Sequence, residues 1–188
     1  MTTTGFDSDR YTIEQLIRPI ANLYRVSADG RPVAFVRQKK LAIKEDLRFF
    51  ADEGETRELF RIKARSVFEV RGTYDVTDAM DGPIGALQKD FVTSLARSTW
   101  NVLDAQGTVI ARATEQNIVI AIVRRVVDLP IPFHFDIASS DGARLGELRR
   151  AFSVRDRYEL DLSGDTDRRL DRRVAVALGV GLDALQSR

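Results

Sequence analysis

The reading of the fold turns on Asp167-Arg-Arg-Leu-Asp-Arg-Arg-Val174-Ala-Val-Ala-Leu-Gly-Val-Gly-Leu182-Asp-Ala-Leu-Gln186. The run from Val174 to Leu182 has no polar face, and a helix that is apolar all round must be buried on every side. Asp165, Thr166 and Asp167 offer N-cap oxygens and negative charge where that helix starts. Gly179 and Gly181 each cost a helix roughly 1 kcal/mol against Ala, a cost suited to places where something approaches the backbone closely. An Ala-rich, capped run favours a helix over a core strand. A closed β-barrel with this helix threaded along its axis meets all of these demands.

The chain upstream supplies such a barrel. An X-Gly turn signal recurs at Asp29-Gly30, Glu53-Gly54, Asp81-Gly82, Gln106-Gly107 and Asp141-Gly142. Segments rich in aromatic and β-branched residues flank each turn: Leu23–Val26 and Val33–Val36, Leu47–Phe50 and Leu59–Ile62, Thr73–Val76 and Ile84–Leu87, Thr99–Val102 and Val109–Arg112, Phe133–Ile137 and Leu145–Leu148. Such turns supply the positive φ of a tight hairpin, so each unit is predicted to be a β-hairpin. Tyr74 and Val76 share one strand face, as do Trp100 and Val102. Ser66–Val70 and Phe91–Leu95 read as strand-like connectors, and Tyr158–Leu162 as a last strand before Ser163-Gly164. Roughly a dozen short strands at regular spacing predict an antiparallel barrel or sandwich.

Thr12-Ile-Glu-Gln15 matches a capping box, which predicts a helix ending before Pro19. Residues 115–127 fit either a short helix or a further strand. The organisation expected is one domain over 1–188, with a helical lead-in over 1–20, barrel strands over 21–164 and a central helix over 165–188.

Composition removes several function classes. With 29 Lys+Arg against 28 Asp+Glu in 188 residues the net charge is +1, so no bulk field draws the chain to nucleic acid or membrane. Cys is absent and His134 is the single histidine, which excludes thiolate metal sites, cysteine nucleophiles and poly-imidazole zinc sites. The start lacks a basic n-region and an apolar h-region, so no signal peptide is expected. The nine-residue apolar run spans about 13 Å as a helix, less than half the ~30 Å of a bilayer core. The expectation is a cytoplasmic protein, free or peripheral at the membrane.

No phosphate-binding Gly-x-x-x-x-Gly-Lys loop or Gly-x-Ser-x-Gly elbow occurs. His134, in Phe-His-Phe, reads as a structural or surface histidine rather than a general base. Asp161, Asp165, Asp167 and Asp171 depart from the calcium-loop spacing, as do Asp75, Asp78 and Asp81. Turn and cap chemistry accounts for both groups, and neither a metal nor a cofactor is expected. The basic residues Arg37, Lys39 and Lys40, with Arg61, Lys63 and Arg65, form the candidate anion-binding set. The last three alternate with Phe60, Ile62 and Ala64, which puts them on one strand face. The competing reading is a solvated barrel exterior.

Phe-Val-Arg-Gln-Lys-Lys (35–40), Thr-Tyr-Asp-Val-Thr-Asp (73–78), Ser-Thr-Trp-Asn-Val-Leu-Asp (98–104) and Leu-Asp-Arg-Arg-Val-Ala-Val-Ala-Leu-Gly-Val (170–180) resemble the LURP-one-related proteins. That family belongs to the tubby C-terminal-like superfamily, with the phospholipid scramblases. The resemblance runs from about Ala21 onward and implies a twelve-stranded barrel around a central hydrophobic helix. It also implies a non-catalytic module that binds lipid or another anionic ligand at a membrane surface, since tubby domains bind phosphoinositides. No invariant catalytic motif belongs to the family, so no catalytic residue carries over. The alternative is a structural or partner-binding protein without a lipid ligand.

Overall fold

The computed structural model describes residues 5–17, 21–39, 46–65, 72–90, 98–116, 134–151 and 157–185. Twelve antiparallel strands follow in chain order: β1 (Arg10–Ile17), β2 (Ala21–Ala28), β3 (Arg31–Lys39), β4 (Asp46–Phe50), β5 (Glu58–Ala64), β6 (Thr73–Asp78), β7 (Pro83–Lys89), β8 (Thr99–Asp104), β9 (Val109–Glu115), β10 (His134–Ser139), β11 (Arg144–Ala151) and β12 (Arg157–Asp161). Each pairs with its neighbours in sequence, and β12 pairs with β1 to close the barrel. The helix α1 (Arg172–Ala184) fills the interior, with Val174 to Leu182 buried throughout. Ser66–Val70, Phe91–Leu95 and 117–127 lie outside the described residues.

The hairpin turns follow from their side chains. Asp29 and Gly30 both have positive φ, 49° and 76°, as a two-residue turn matching the strand twist requires. Asp78 Oδ1 accepts from the backbone N–H groups of Met80 and Gly82, and Asp104 Oδ1 from those of Gln106 and Thr108. In the second hairpin the left-handed residue is Glu55 (φ 57°), not Gly54. Asp52 holds that turn by accepting from the Thr56 hydroxyl.

Two expectations are corrected. Residues 10–17 are a strand, not a helical lead-in. Tyr11 and Ile13 are buried against the core, while β1 pairs with Arg157–Asp161 on one side and Asn22–Ala28 on the other. A helix here would leave the edges of β2 and β12 unpaired, and closure removes that cost. The capping box carried only a local preference, and the two ladders override it. The central helix also begins later than 165. Its N-cap is Asp171, whose Oδ1 accepts from the Arg173 N–H at 2.8 Å.

The two helical glycines differ in what they allow. A Cβ on Gly179 would lie 2.6 Å from Ile13 Cδ1, whereas one on Gly181 would meet only ordinary contacts at 3.5 Å. Gly181→Ala is therefore expected to raise the melting temperature, gaining about 0.5–1 kcal/mol of helix propensity. Gly179→Ala is expected to lower it, because overpacking costs about 1–3 kcal/mol and Ile13 is fully buried. Thermal melts of the two variants check this; a Gly179→Ala protein as stable as Gly181→Ala would contradict it.

Candidate functional site

The pleat sends alternate residues of β3, β4 and β5 outward, and the register aligns their basic members. Arg37 lies opposite Arg48, and Arg48 opposite Arg61. Three guanidinium-bearing residues thus form one row across adjacent strands about 4.8 Å apart. Lys63 lies one step along β5, exposed, between Asp46 on β4 and Asp75 on β6. Arg65 follows just past the strand end. The row contains Arg48, which the sequence reading did not single out. Lys39 is the last residue of β3, and its side chain and all of Lys40 lie outside what the structure describes.

The row is interleaved with carboxylates. Arg37 Nη1 is 2.9 Å from Glu55 Oε2, and Arg48 Nε is 3.3 Å from Asp46 Oδ2. Arg61 reaches both Glu58 (2.6 Å) and Asp81 (3.2 Å), and Arg65 Nη2 is 2.6 Å from Asp75 Oδ1. Each of these arginines has an acidic partner, and their local field is largely balanced.

Beside Arg37 lies a groove of about 110 Å³, lined by Leu16, Leu23, Phe35 and Phe50. These four residues come from β1, β2, β3 and β4, and Phe35 stands opposite Phe50 in register. Glu53 and Glu55 of the 51–57 turn also line it. Glu53 pairs with Arg25 at 2.8 Å and Glu55 with Arg37, which fixes two charged pairs on its rim. Arg25 also stacks over the Phe35 ring, 5.7 Å from its centroid. An apolar slot with a guanidinium at its edge is thus built by four consecutive strands.

The family model of LURP-one-related proteins matches residues 33–183. The chain belongs to the LURP-one-related family. No curated protein and no solved structure matches it.

In this LURP-one-related barrel the acidic run near the helix is spent on caps and ion pairs. Asp161 Oδ1 accepts from the Ser163 N–H, and Asp167 pairs with Arg169. Asp165 accepts from the N–H groups of Arg169 and Leu170 and from Arg172 Nη1 at 2.6 Å. At the far end of α1, Asp183 turns inward and accepts from the hydroxyls of Tyr24 (2.8 Å) and Tyr158. Burial, reinforced by the Asp183 charge and hydrogen bond, pushes the Tyr24 hydroxyl far above its ordinary value. These two donors offset the unfavourable placement of an acid at a helix C-terminus. Among the described residues no helix is long and apolar enough to cross a membrane.

His134, read from the sequence as structural or surface, stands on the outer face of β10 beside two carboxylates. Its Nε2 is 3.1 Å from Glu147 Oε2 and 4.0 Å from Asp136 Oδ1. Asp136 is legible as its strand-face neighbour two residues on. Glu147 is not, because only the β10–β11 register brings it opposite Asp136.

Proposed function

We propose that this barrel is a non-catalytic module that binds an anionic amphiphile, with phospholipid as its ligand class, at a membrane surface. The observation that supports the reading is the apolar groove at Arg37. The head group meets Arg37 at the rim, with Lys39, Lys40, Arg61, Lys63 and Arg65 as the basic set that adds attraction, while an apolar chain enters among Leu16, Leu23 and Phe35. Guanidinium groups bind phosphate bidentately and lysine as a point charge. Because the arginines already hold carboxylates, the ligand binds by exchange, so adsorption is weak and salt-sensitive.

Sedimentation with phosphatidylserine-containing and pure phosphatidylcholine vesicles at low ionic strength tests this. The wild type is expected to pellet with the anionic vesicles and to be released by salt. Arg37→Gln, Lys63→Gln and Arg65→Gln together are expected to weaken that binding by about 10- to 100-fold, since each basic residue near an anionic surface contributes up to about 1 kcal/mol. The exposed pairs of Arg37 and Arg65 contribute about 0–1 kcal/mol each to stability, so the melting temperature moves little. The balanced ion-pair lattice favours a second reading, a face for a protein partner. A wild type that ignores vesicle charge would overturn the lipid reading and leave this one.

A further inference from the structure

We infer that His134, Asp136 and Glu147 form a binding site for a divalent first-row transition-metal ion on the outer face of β10 and β11. The pleat of β10 places His134 and Asp136 on one face, and the register sets Glu147 opposite Asp136. One ligand atom from each residue lies within 4.8 Å of the others. Metal–ligand bonds of about 2.0–2.2 Å separate neighbouring ligand atoms in a tetrahedral site by about 3.3 Å. The Nε2–Oε2 distance of 3.1 Å already fits. The Asp136 oxygen, at 4.0 Å, needs a shift that a half-exposed side chain makes freely.

The outer contacts of the two carboxylates point the same way. Gln116 Nε2 donates to Asp136 Oδ2 at 2.5 Å, which leaves Oδ1 on the imidazole side. Arg149 pairs with Glu147 Oε1, which leaves Oε2 facing Nε2. Asp136 is thus held by one oxygen and presents the other, the arrangement by which outer partners orient metal ligands, and Glu147 turns Oε2 to the imidazole. Arg144 shares Glu147 Oε2 at 2.7 Å and is the group an ion must displace. Its side chain is 67% exposed, so giving up that contact costs little. Glu147 also lines a groove of about 490 Å³ over β1, β11 and β12, where Asp29, Glu147, Glu159 and Asp161 outnumber Arg10 and Arg149. One imidazole with two carboxylates, open to solvent, suits Zn²⁺, Co²⁺ or Ni²⁺ rather than ions that need thiolates.

The test is a titration of the full chain with Co²⁺ and with Zn²⁺, followed by calorimetry and by the ring resonances of His134. With one histidine and no cysteine in the chain, an imidazole-ligated ion has a single address. One equivalent is expected to bind, with Co²⁺ shifting and broadening the His134 ring signals. His134→Ala and Asp136→Asn are each expected to abolish saturable binding without changing the melting temperature. Gln116→Ala is expected to weaken binding by about 10-fold, as loss of an outer partner does, and Arg144→Ala to strengthen it by removing the competitor. A merely structural ion-pair cluster would show neither response. Absence of saturable binding of both ions to the wild type, or undiminished binding to His134→Ala, overturns the inference.

Discussion

A chain ending at Arg169 is expected to remain unfolded. The segment removed carries Leu170, Val174, Val176, Leu178, Val180, Leu182 and Leu185, all buried inside the barrel. At about 1.5–3 kcal/mol for each fully buried aliphatic side chain, their loss is on the order of 10–20 kcal/mol. The whole stability of a domain is about 5–15 kcal/mol. Polar groups lose partners as well. The Tyr24 and Tyr158 hydroxyls would face an interior without Asp183, and Gln38 Nε2 would lose the Ala184 carbonyl, 3.3 Å away. Neither the strands nor their turns replace that core, because the helix fills the interior that the inward residues face. Circular dichroism and urea titration of the 1–169 fragment check the expectation. A soluble fragment with a single cooperative transition would refute it.

The barrel was legible because its signals are local and repeated. Asp29-Gly30, Asp81-Gly82 and Asp141-Gly142 sit at turns, and the predicted flanking segments fall within β2–β12 save for Phe133 and Leu162 at two ends. The buried helix was legible from Val174–Leu182 because an apolar run with no polar face has few places to go. What failed depended on long-range pairing. The Thr12–Gln15 capping box is a local preference, outweighed by two ladders that form only when residues 10–17 meet 157–161 and 22–28. The sequence predicts the helix from 165 because an acid there has the chemistry of a cap, whereas Asp165 is buried and serves Arg172. In the candidate site, Arg61, Lys63 and Arg65 read as a basic stripe. Of the carboxylates that accompany them, Glu58 lies three residues before Arg61 on β5 itself, whereas Asp75 and Asp81 enter through strand register and turn geometry. Glu147 beside His134 escaped for the same reason: no pattern within one strand announces a neighbour on the next.

Arg172→Met is expected to cost about 3–5 kcal/mol, the usual result of stripping one partner from a buried ion pair. Arg172 is 4% exposed, and the side chain of Asp165 is wholly buried. The guanidinium bonds Asp165 Oδ2 (2.6 Å), the Leu170 carbonyl (3.1 Å) and Asp9 Oδ1 (2.7 Å). It thereby ties the β12–α1 connection to the segment entering β1. Without it, Asp165 keeps the N–H groups of Arg169 and Leu170 but holds an uncompensated charge in the interior. Burial pushes the Asp165 carboxyl upward, but the Leu170 N–H, the Arg172 guanidinium and the Arg169 N–H outweigh it and hold the carboxyl below its ordinary range. A depressed carboxyl contributes stability that is present above its unfolded value, about 3.9, and is lost as pH falls through the folded value. The gap in urea midpoint between wild type and Arg172→Met is therefore expected to be widest near neutrality and to narrow below about pH 4. Adding Asp165→Asn to Arg172→Met removes the stranded charge and is expected to recover part of the loss, since contacting residues couple non-additively. A gap that stays constant with pH, or a double variant no more stable than Arg172→Met, would show that Arg172 acts by packing its side chain and not by neutralising Asp165.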